Sequence, residues 1–421
     1  MPGPSDLLRD FQTIMAVSRA MGSERDLDRL LGLILGAAAD LVRADRASLF
    51  LVDHERHELW TRIAQHAAEI RLPLGSGIAG TVASTGETIN IPAAYADERF
   101  SRDNDQRSGY RTRAILCMPL RSHREAVVGV IQVLNRTDGQ PFDAYDEQVL
   151  AALCSQAAVA IDTAQLIQRD RERERLARDM ELARQIQLSL LPQDPPTFPG
   201  WVFAAYAKSC DQTGGDYHDF IRVPQSNRVD VVVGDVSGHG LGAAMVMSTA
   251  RALLHALEEN AGDPAALVTR LNRLLERDLA DDTFMSLLLS RLGSDGSCAY
   301  VSAGHEPPLI WRAGRAPTGT GFDAPGDTDF LLGMLDDTVY TAFAMAPLAA
   351  GDLLVQFTDG IFEAQGADGE MFGMERLRDV IVAHANKGAA AVCAAVVAAV
   401  DAHLGGTPAH DDITLVVAER R

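Results

Sequence analysis

Val231-Val-Val-Gly-Asp-Val-Ser-Gly-His-Gly240 reads as a buried strand running into a glycine-rich turn, with Asp235 at the junction. Three further stretches put a carboxylate at a strand end: Gly214-Gly-Asp216, Leu353-Leu-Val-Gln-Phe-Thr-Asp-Gly360 and Asp411-Asp-Ile-Thr-Leu-Val-Val417. Residues far apart in sequence could so meet where strands end. Anions packed together cost many kcal/mol unless a cation neutralises them or some take up protons. Glycines beside them allow close backbone approach and leave peptide carbonyls free to join an ion's ligand shell. Oxygen donors with no Cys and few His point to Mg2+ or Mn2+ more than to Zn2+. Two such ions suit metal-assisted hydrolysis of a phosphate ester. Any one of these motifs alone would more often be an ordinary turn; it is the four together that carry the reading.

Outward from this region the strand candidates are Val202–Ala207, Val229–Val233, Phe284–Ser290, Cys298–Ser302, Leu353–Phe357 and Ile413–Val417. Helical stretches, Ala243–Glu259, Pro264–Leu279 and Ala389–His403, fall between them irregularly, which suggests layered sheets with helices outside rather than a doubly wound pattern. Upstream, a proline-rich break, Pro192–Gly200, follows a charged helical connector whose Leu176, Met180, Ala183, Gln187 and Leu190 recur at heptad spacing. That seam fits a dimeric coiled coil or a helix lying on its own domain. Before it come two amphipathic helices, over 5–20 and 23–42, the second with Ser23 as its expected N-cap. Three strand candidates follow, Ala47–Val52, Ile115–Leu120 and Val127–Leu134, and then a closing helix over Tyr145–Ile167. The expected organisation is an α+β chain with an N-terminal helix over 1–22, a first domain over 23–165, a helical linker over 166–191 and a second domain over 192–421.

The 58 acidic against 38 basic residues give a formal charge of -20, which disfavours nucleic acid and anionic lipid as partners. Five scattered cysteines without a Cys-x-x-Cys pair fit buried thiols in a reducing, cytoplasmic compartment. The start lacks the basic and apolar regions of a signal peptide. The longest apolar run, Ala389–Val400, has 12 residues, against the roughly 20 a spanning helix needs, so no membrane segment is expected.

Residues from about 188 to 418 resemble the SpoIIE/RsbU-type branch of the PPM (PP2C-like) serine/threonine phosphatases. The resemblance rests on Gln187-Leu-Ser-Leu-Leu-Pro192, Gly214-Gly-Asp-Tyr-His-Asp219, Gly234-Asp-Val-Ser-Gly-His-Gly240, Ala303-Gly-His-Glu-Pro-Pro308, Gly351–Gly360 and Asp411-Asp-Ile-Thr-Leu415, in the family's order. It implies a β-sandwich flanked by helices with two Mn2+ or Mg2+ ions at one end. By motif position, Asp235 would bridge both ions, the Val236 carbonyl would bind one, and Asp359 and Asp411 would complete the other, with Asp216 acting directly or through water. Asp235, Asp359 and Asp411 are thus the expected catalytic carboxylates, and Asp411 is preferred over Asp412. Ser237 stands where many eukaryotic relatives have a histidine proposed as the leaving-group acid, and the phosphate-binding arginine has no clear counterpart. His239 and His305 are the candidate proton donors, with turn support as the competing role for each.

Residues 24 to about 165 resemble a GAF domain, through Ala44–Val52, Leu74–Ala83, Ile89–Pro92, Arg113–Leu120 and Gly129–Asn135. Asn135-Arg136, Phe142 and Asp146-Glu147 approximate a pattern of cyclic-nucleotide-binding members, in which it can serve as a structural ion pair away from the ligand. Together the resemblances imply a metal-dependent phosphoserine/phosphothreonine protein phosphatase regulated by a GAF sensor. Its implied substrate is a STAS-type anti-sigma-factor antagonist in bacterial partner switching. A small-molecule GAF ligand and a homodimer through the linker helix and GAF domain are the other implied partners. Two alternatives are a catalytically silent scaffold that only sequesters its partner and a phosphatase with a non-protein substrate.

Overall fold

The computed structural model describes residues 4–421 except 55, 62–69, 124, 259–261, 281, 315–321 and 324–325. The chain divides into two compact units, 1–175 and 176–421. The expected start of the first helix at residues 1–3 and the end of the Ala243–Glu259 helix lie outside the described residues.

Unit one opens with helices α1 (Pro4–Ser23) and α2 (Leu27–Leu41). Ser23 ends α1 and bonds back to the Ala20 carbonyl. The N-cap of α2 is Asp26, whose carboxylate accepts from the Arg29 amide. This corrects the expectation of Ser23, because a cap must reach the free amides of the first turn, and only residue 26 is placed to do so. Next come β1 (Ala44–Asp53), β2 (Glu58–Thr61), β3 (Ile70–Pro73), α3 (Gly77–Thr85), β4 (Ile89–Ile91), α4 (Asp103–Ser108), β5 (Ile115–Arg121), β6 (Val127–Arg136) and α5 (Ala144–Leu190). The strands form one antiparallel sheet in the order β3-β2-β1-β6-β5-β4. One core gathers α2, the start of α5 and one side of the sheet; a second gathers α3 and the other side.

The closing helix and the connector read from sequence are one uninterrupted helix, α5. It includes a stretch long and apolar enough by composition to cross a membrane. Within it Leu150, Leu153, Ala157 and Ile161 are fully buried in the first core.

Unit two contains β7 (Trp201–Lys208), β8 (Tyr217–Arg222), β9 (Arg228–Val236), α6 (Leu241–Glu258), α7 (Pro264–Asp278), β10 (Met285–Gly293), β11 (Cys298–Ala303), β12 (Leu309–Trp311), β13 (Phe322–Asp323), β14 (Phe343–Met345), β15 (Leu353–Phe357), α8 (Asp359–Phe362), α9 (Met374–His384), α10 (Ala389–Leu404) and β16 (Ile413–Arg420). Two five-stranded sheets, β14-β11-β10-β9-β8 and β13-β12-β15-β16-β7, pack face to face. Val229, Val231 and Val233 of β9 meet Leu354, Val416 and Ala418 of the opposing sheet in the layer between them. The alternation is the period of a strand that buries one face on each layer. Helices α6 and α7 cover the outer face of the first sheet, and α9 and α10 cover that of the second.

Candidate metal centre

Asp235 is the penultimate residue of β9, opposite Ser286 of β10. Asp216 directly precedes β8, Asp359 opens α8 at the end of β15, and Asp411 and Asp412 lead into β16. Residues from both sheets thus reach one end of the sandwich. Gly360 is what lets two of these segments touch, since a side chain there would run into the Asp412 carbonyl. Gly215 does the same on the first sheet: a Cβ would stand 2.6 Å from the Val236 carbonyl oxygen and 3.3 Å from Asp235 Oδ1. Only glycine leaves that carbonyl open.

The carboxylates feel one another. Burial and then the charges of Asp359, Asp411 and Asp412 push Asp235 up to about 8. Asp216 is raised well above the usual carboxylate range, by burial first and Asp235 second. Asp359 and Asp411 are raised as well, each chiefly by burial. Among the described residues no three His, Cys, Asp or Glu side chains stand together in a group able to hold an ion as arranged. Three features nevertheless suit a hard cation: an all-oxygen donor set, the cradle at Gly215, and Asp359 Oδ1, which is buried without a hydrogen-bond partner among the described residues. The residues that fit as its holders are Asp235, the Val236 carbonyl, Asp359 and Asp411, with Asp216 behind them.

Asp412 is occupied differently from Asp411. Its two oxygens accept from the Cys210 amide (2.8 Å) and the Asp216 amide (3.3 Å), fixing the loop before β8. Thr358, fully buried, donates to Asp216 Oδ2 at 2.8 Å and accepts from the Thr414 amide at 3.0 Å, so one hydroxyl joins β8, β15 and β16. Sequence reasoning passed over Thr358; its place directly before Asp359 was the available signal. The Ser237 hydroxyl accepts from the Phe284 amide at 3.1 Å.

The two histidines part company. His239 is exposed, with Nδ1 3.6 Å from Asp211. His305 is buried, and both ring nitrogens are engaged, Nε2 donating to the Phe357 carbonyl at 2.9 Å and Nδ1 accepting from the Ser286 hydroxyl at 2.7 Å. It staples β10 to β15 across the sandwich, which leaves no proton to give a leaving group. Burial holds its imidazole down at about 4. A histidine neutral in the fold takes up a proton on unfolding below its ordinary value of 6.5, so its contribution is complete above that pH and drains away as pH falls toward 4. Unit two should therefore lose about 2 kcal/mol of stability between pH 7.5 and pH 5 through this group. Urea unfolding followed by hydrogen exchange in β10 checks it: His305→Gln should flatten that slope, and an unchanged slope would refute the assignment.

In unit one, the Arg136 guanidinium bonds Asp146 and Asp138, both at 2.7 Å, while Asn135 Oδ1 accepts from the Arg113 and Ala114 amides. Asp146 also accepts from the Asp143 amide, and Glu147 accepts from Asn90. The Asn-Arg…Asp-Glu pattern is thus a structural ion pair with its own local partners. A cavity of about 420 Å³ opens elsewhere, lined by Met118, Arg121, His123, Cys154 and Val159 among others.

Residues 225–421 match the family model described as Stage II sporulation protein E (SpoIIE), and residues 26–161 match that of the GAF domain. Asp216 lies ahead of the first match. Among solved structures the chain is similar in fold to the SiaA-PP2C domain of Pseudomonas aeruginosa, at 24% identity and a TM-score of 0.51, covering 59% of this chain and 98% of that one. Among curated proteins it is 39% identical over 162 residues to the probable 3',5'-cyclic phosphodiesterase pde-5 of Caenorhabditis elegans, covering 35% of this chain and 22% of that protein. It is 34% identical over 198 residues to the dual 3',5'-cyclic-AMP and -GMP phosphodiesterase 11 of Drosophila melanogaster, covering 42% and 14%. The chain spans less than a quarter of either curated relative.

Proposed function

We propose that this chain, a GAF domain joined to a SpoIIE-type PPM phosphatase domain, is a metal-dependent phosphoserine/phosphothreonine protein phosphatase of the cytoplasm. Its substrate in this reading is a phosphorylated STAS-type antagonist of an anti-sigma factor. The observation that carries the reading is the convergence of Asp235, Asp359 and Asp411 from two sheets beside the Val236 carbonyl that Gly215 leaves open. Two Mn2+ or Mg2+ ions held there would lend charge to the phosphoryl oxygens and acidify a water.

The chain's own residues do the rest. Asp235 joins the two halves of the donor set; Thr358 and Asp412 hold Asp216 and its loop in place. His239, exposed and 3.6 Å from Asp211, is the imidazole whose charge reaches Asp411. No side-chain nucleophile is required in this reading, since a metal-activated water would attack. The GAF domain serves as sensor, with the cavity near Arg121 and His123 as the place for a small molecule, and a homodimer forms along α5 and the GAF domain. The exposed Val159, Leu166 and Leu176 of α5 support that pairing; the lower seam residue Gln187 is committed to its own unit.

The test is phosphate release from an aryl phosphate and from a phosphoserine STAS protein with Mn2+, Mg2+ or chelator. Turnover of the phosphoprotein that requires Mn2+ or Mg2+ and stops with chelator is expected. Turnover indifferent to chelator, or none from either substrate, would sink the reading.

A further inference from the structure

Gln187 lies in the last turn of α5, where its neighbours Ile186 and Leu188 are exposed, yet its own side chain is buried. The amide group donates through Nε2 to the Gly214 carbonyl at 2.6 Å and accepts through Oε1 from the Gly214 amide at 3.2 Å. One side chain thus takes both polar groups of one residue, as a neighbouring strand would. Gly214 is followed by Gly215, which clears the Val236 carbonyl, and by Asp216. On its other side Gly214 is pressed against the Asp412 carboxylate, where any Cβ would collide. The loop that enters the acidic centre is therefore gripped between Asp412, directly before β16, and Gln187, near the end of α5.

We propose that Gln187 is a positioning residue of the acidic centre: by holding Gly214 it places Asp216 and Gly215, and so sets how tightly the centre binds a divalent ion. The inference rests on the metal-binding reading above and adds to it the element that tunes affinity. Only a neutral carboxamide supplies a donor and an acceptor side by side at this reach. Methionine, of similar length, would leave both Gly214 groups buried and unpaired. Asparagine keeps the chemistry but falls one methylene short.

The experiment measures Mn2+ binding to the full chain by the loss of the free-ion EPR signal, for wild type, Gln187→Met, Gln187→Asn, Ile186→Gln and Asp235→Asn. Gln187→Met and Gln187→Asn should each weaken binding by at least about tenfold, the range for groups that orient ligands. Ile186→Gln, exposed on the same turn, should bind as wild type. Turnover of both Gln187 variants should return to near the wild-type maximum when Mn2+ is raised, separating a positioning role from lost chemistry. Binding within twofold of wild type in a folded Gln187→Met or Gln187→Asn, while Asp235→Asn has lost it, overturns the proposal alone. Undiminished binding in Asp235→Asn overturns the metal reading, and this inference with it.

Discussion

Asp235→Asn and Asp359→Asn are each expected to cut phosphate release at saturating Mn2+ by at least about a hundredfold, the scale of losing one pre-placed charge at a reacting centre. Asparagine keeps the shape and removes only the charge. Because burial first, and then the neighbouring carboxylates, raise Asp235 to about 8, its neutral replacement should leave the protein at least as stable when no metal is added. Loss of activity together with unchanged or higher thermal stability is the joint signature, read by a phosphate assay and a melting curve on the same samples. Retained turnover would move the chemistry elsewhere. A protein that merely sequesters its partner would keep its effect on that partner in both variants, which separates the scaffold alternative.

Arg291→Met is expected to destabilise unit two by about 3–5 kcal/mol, the usual consequence of stranding one member of a buried ion pair. Arg291 and Asp230 face each other across β10 and β9, almost wholly buried, with two parallel bonds of 2.7 and 2.6 Å. Arg291 also donates to the Gly262 carbonyl in the connection between α6 and α7. Removing the guanidinium leaves the Asp230 carboxylate without its counter-ion in the sheet. The double replacement Asp230→Leu with Arg291→Met should recover much of the loss, because apolar packing needs no desolvated charge. Urea unfolding of the four proteins of this cycle tests it; a single variant within 1 kcal/mol of wild type, about the yield of an exposed pair, would refute it.

Strands that are short and almost wholly apolar, such as Val231–Val233 and Leu353–Phe357 with Gln356 as its one polar residue, were legible from their length and flanking turn residues. β8 was not, since Tyr217-His-Asp-Phe-Ile-Arg222 buries His218 and Asp219, and polar residues mask the pattern. Tertiary contacts explain the burial of Asp219: Tyr217, His255 and Arg251 surround its carboxylate. The acidic centre could be assembled from motifs at strand ends, but the parts played by Thr358 and Gln187 depend on which loops face them. Gln187 fell at a heptad position, and the one polar residue in an apolar seam was the hint that this position had another partner. His305 read as a proton donor or a turn residue because its bonding partners, Ser286 and Phe357, lie far away in sequence.

β16 is an interior strand of its sheet, seated between β15 and β7, yet it consists of residues 413–420. Its partner β7 was made some 200 residues earlier, so the sheet closes by a pairing of very long sequence separation. Asp411 and Asp412 arrive with that same strand. While this region is being synthesised, β7 and β15 must therefore wait with open edges, exposed to mispairing and to chaperones. The acidic centre therefore lacks two of its carboxylates until β16 has threaded between them.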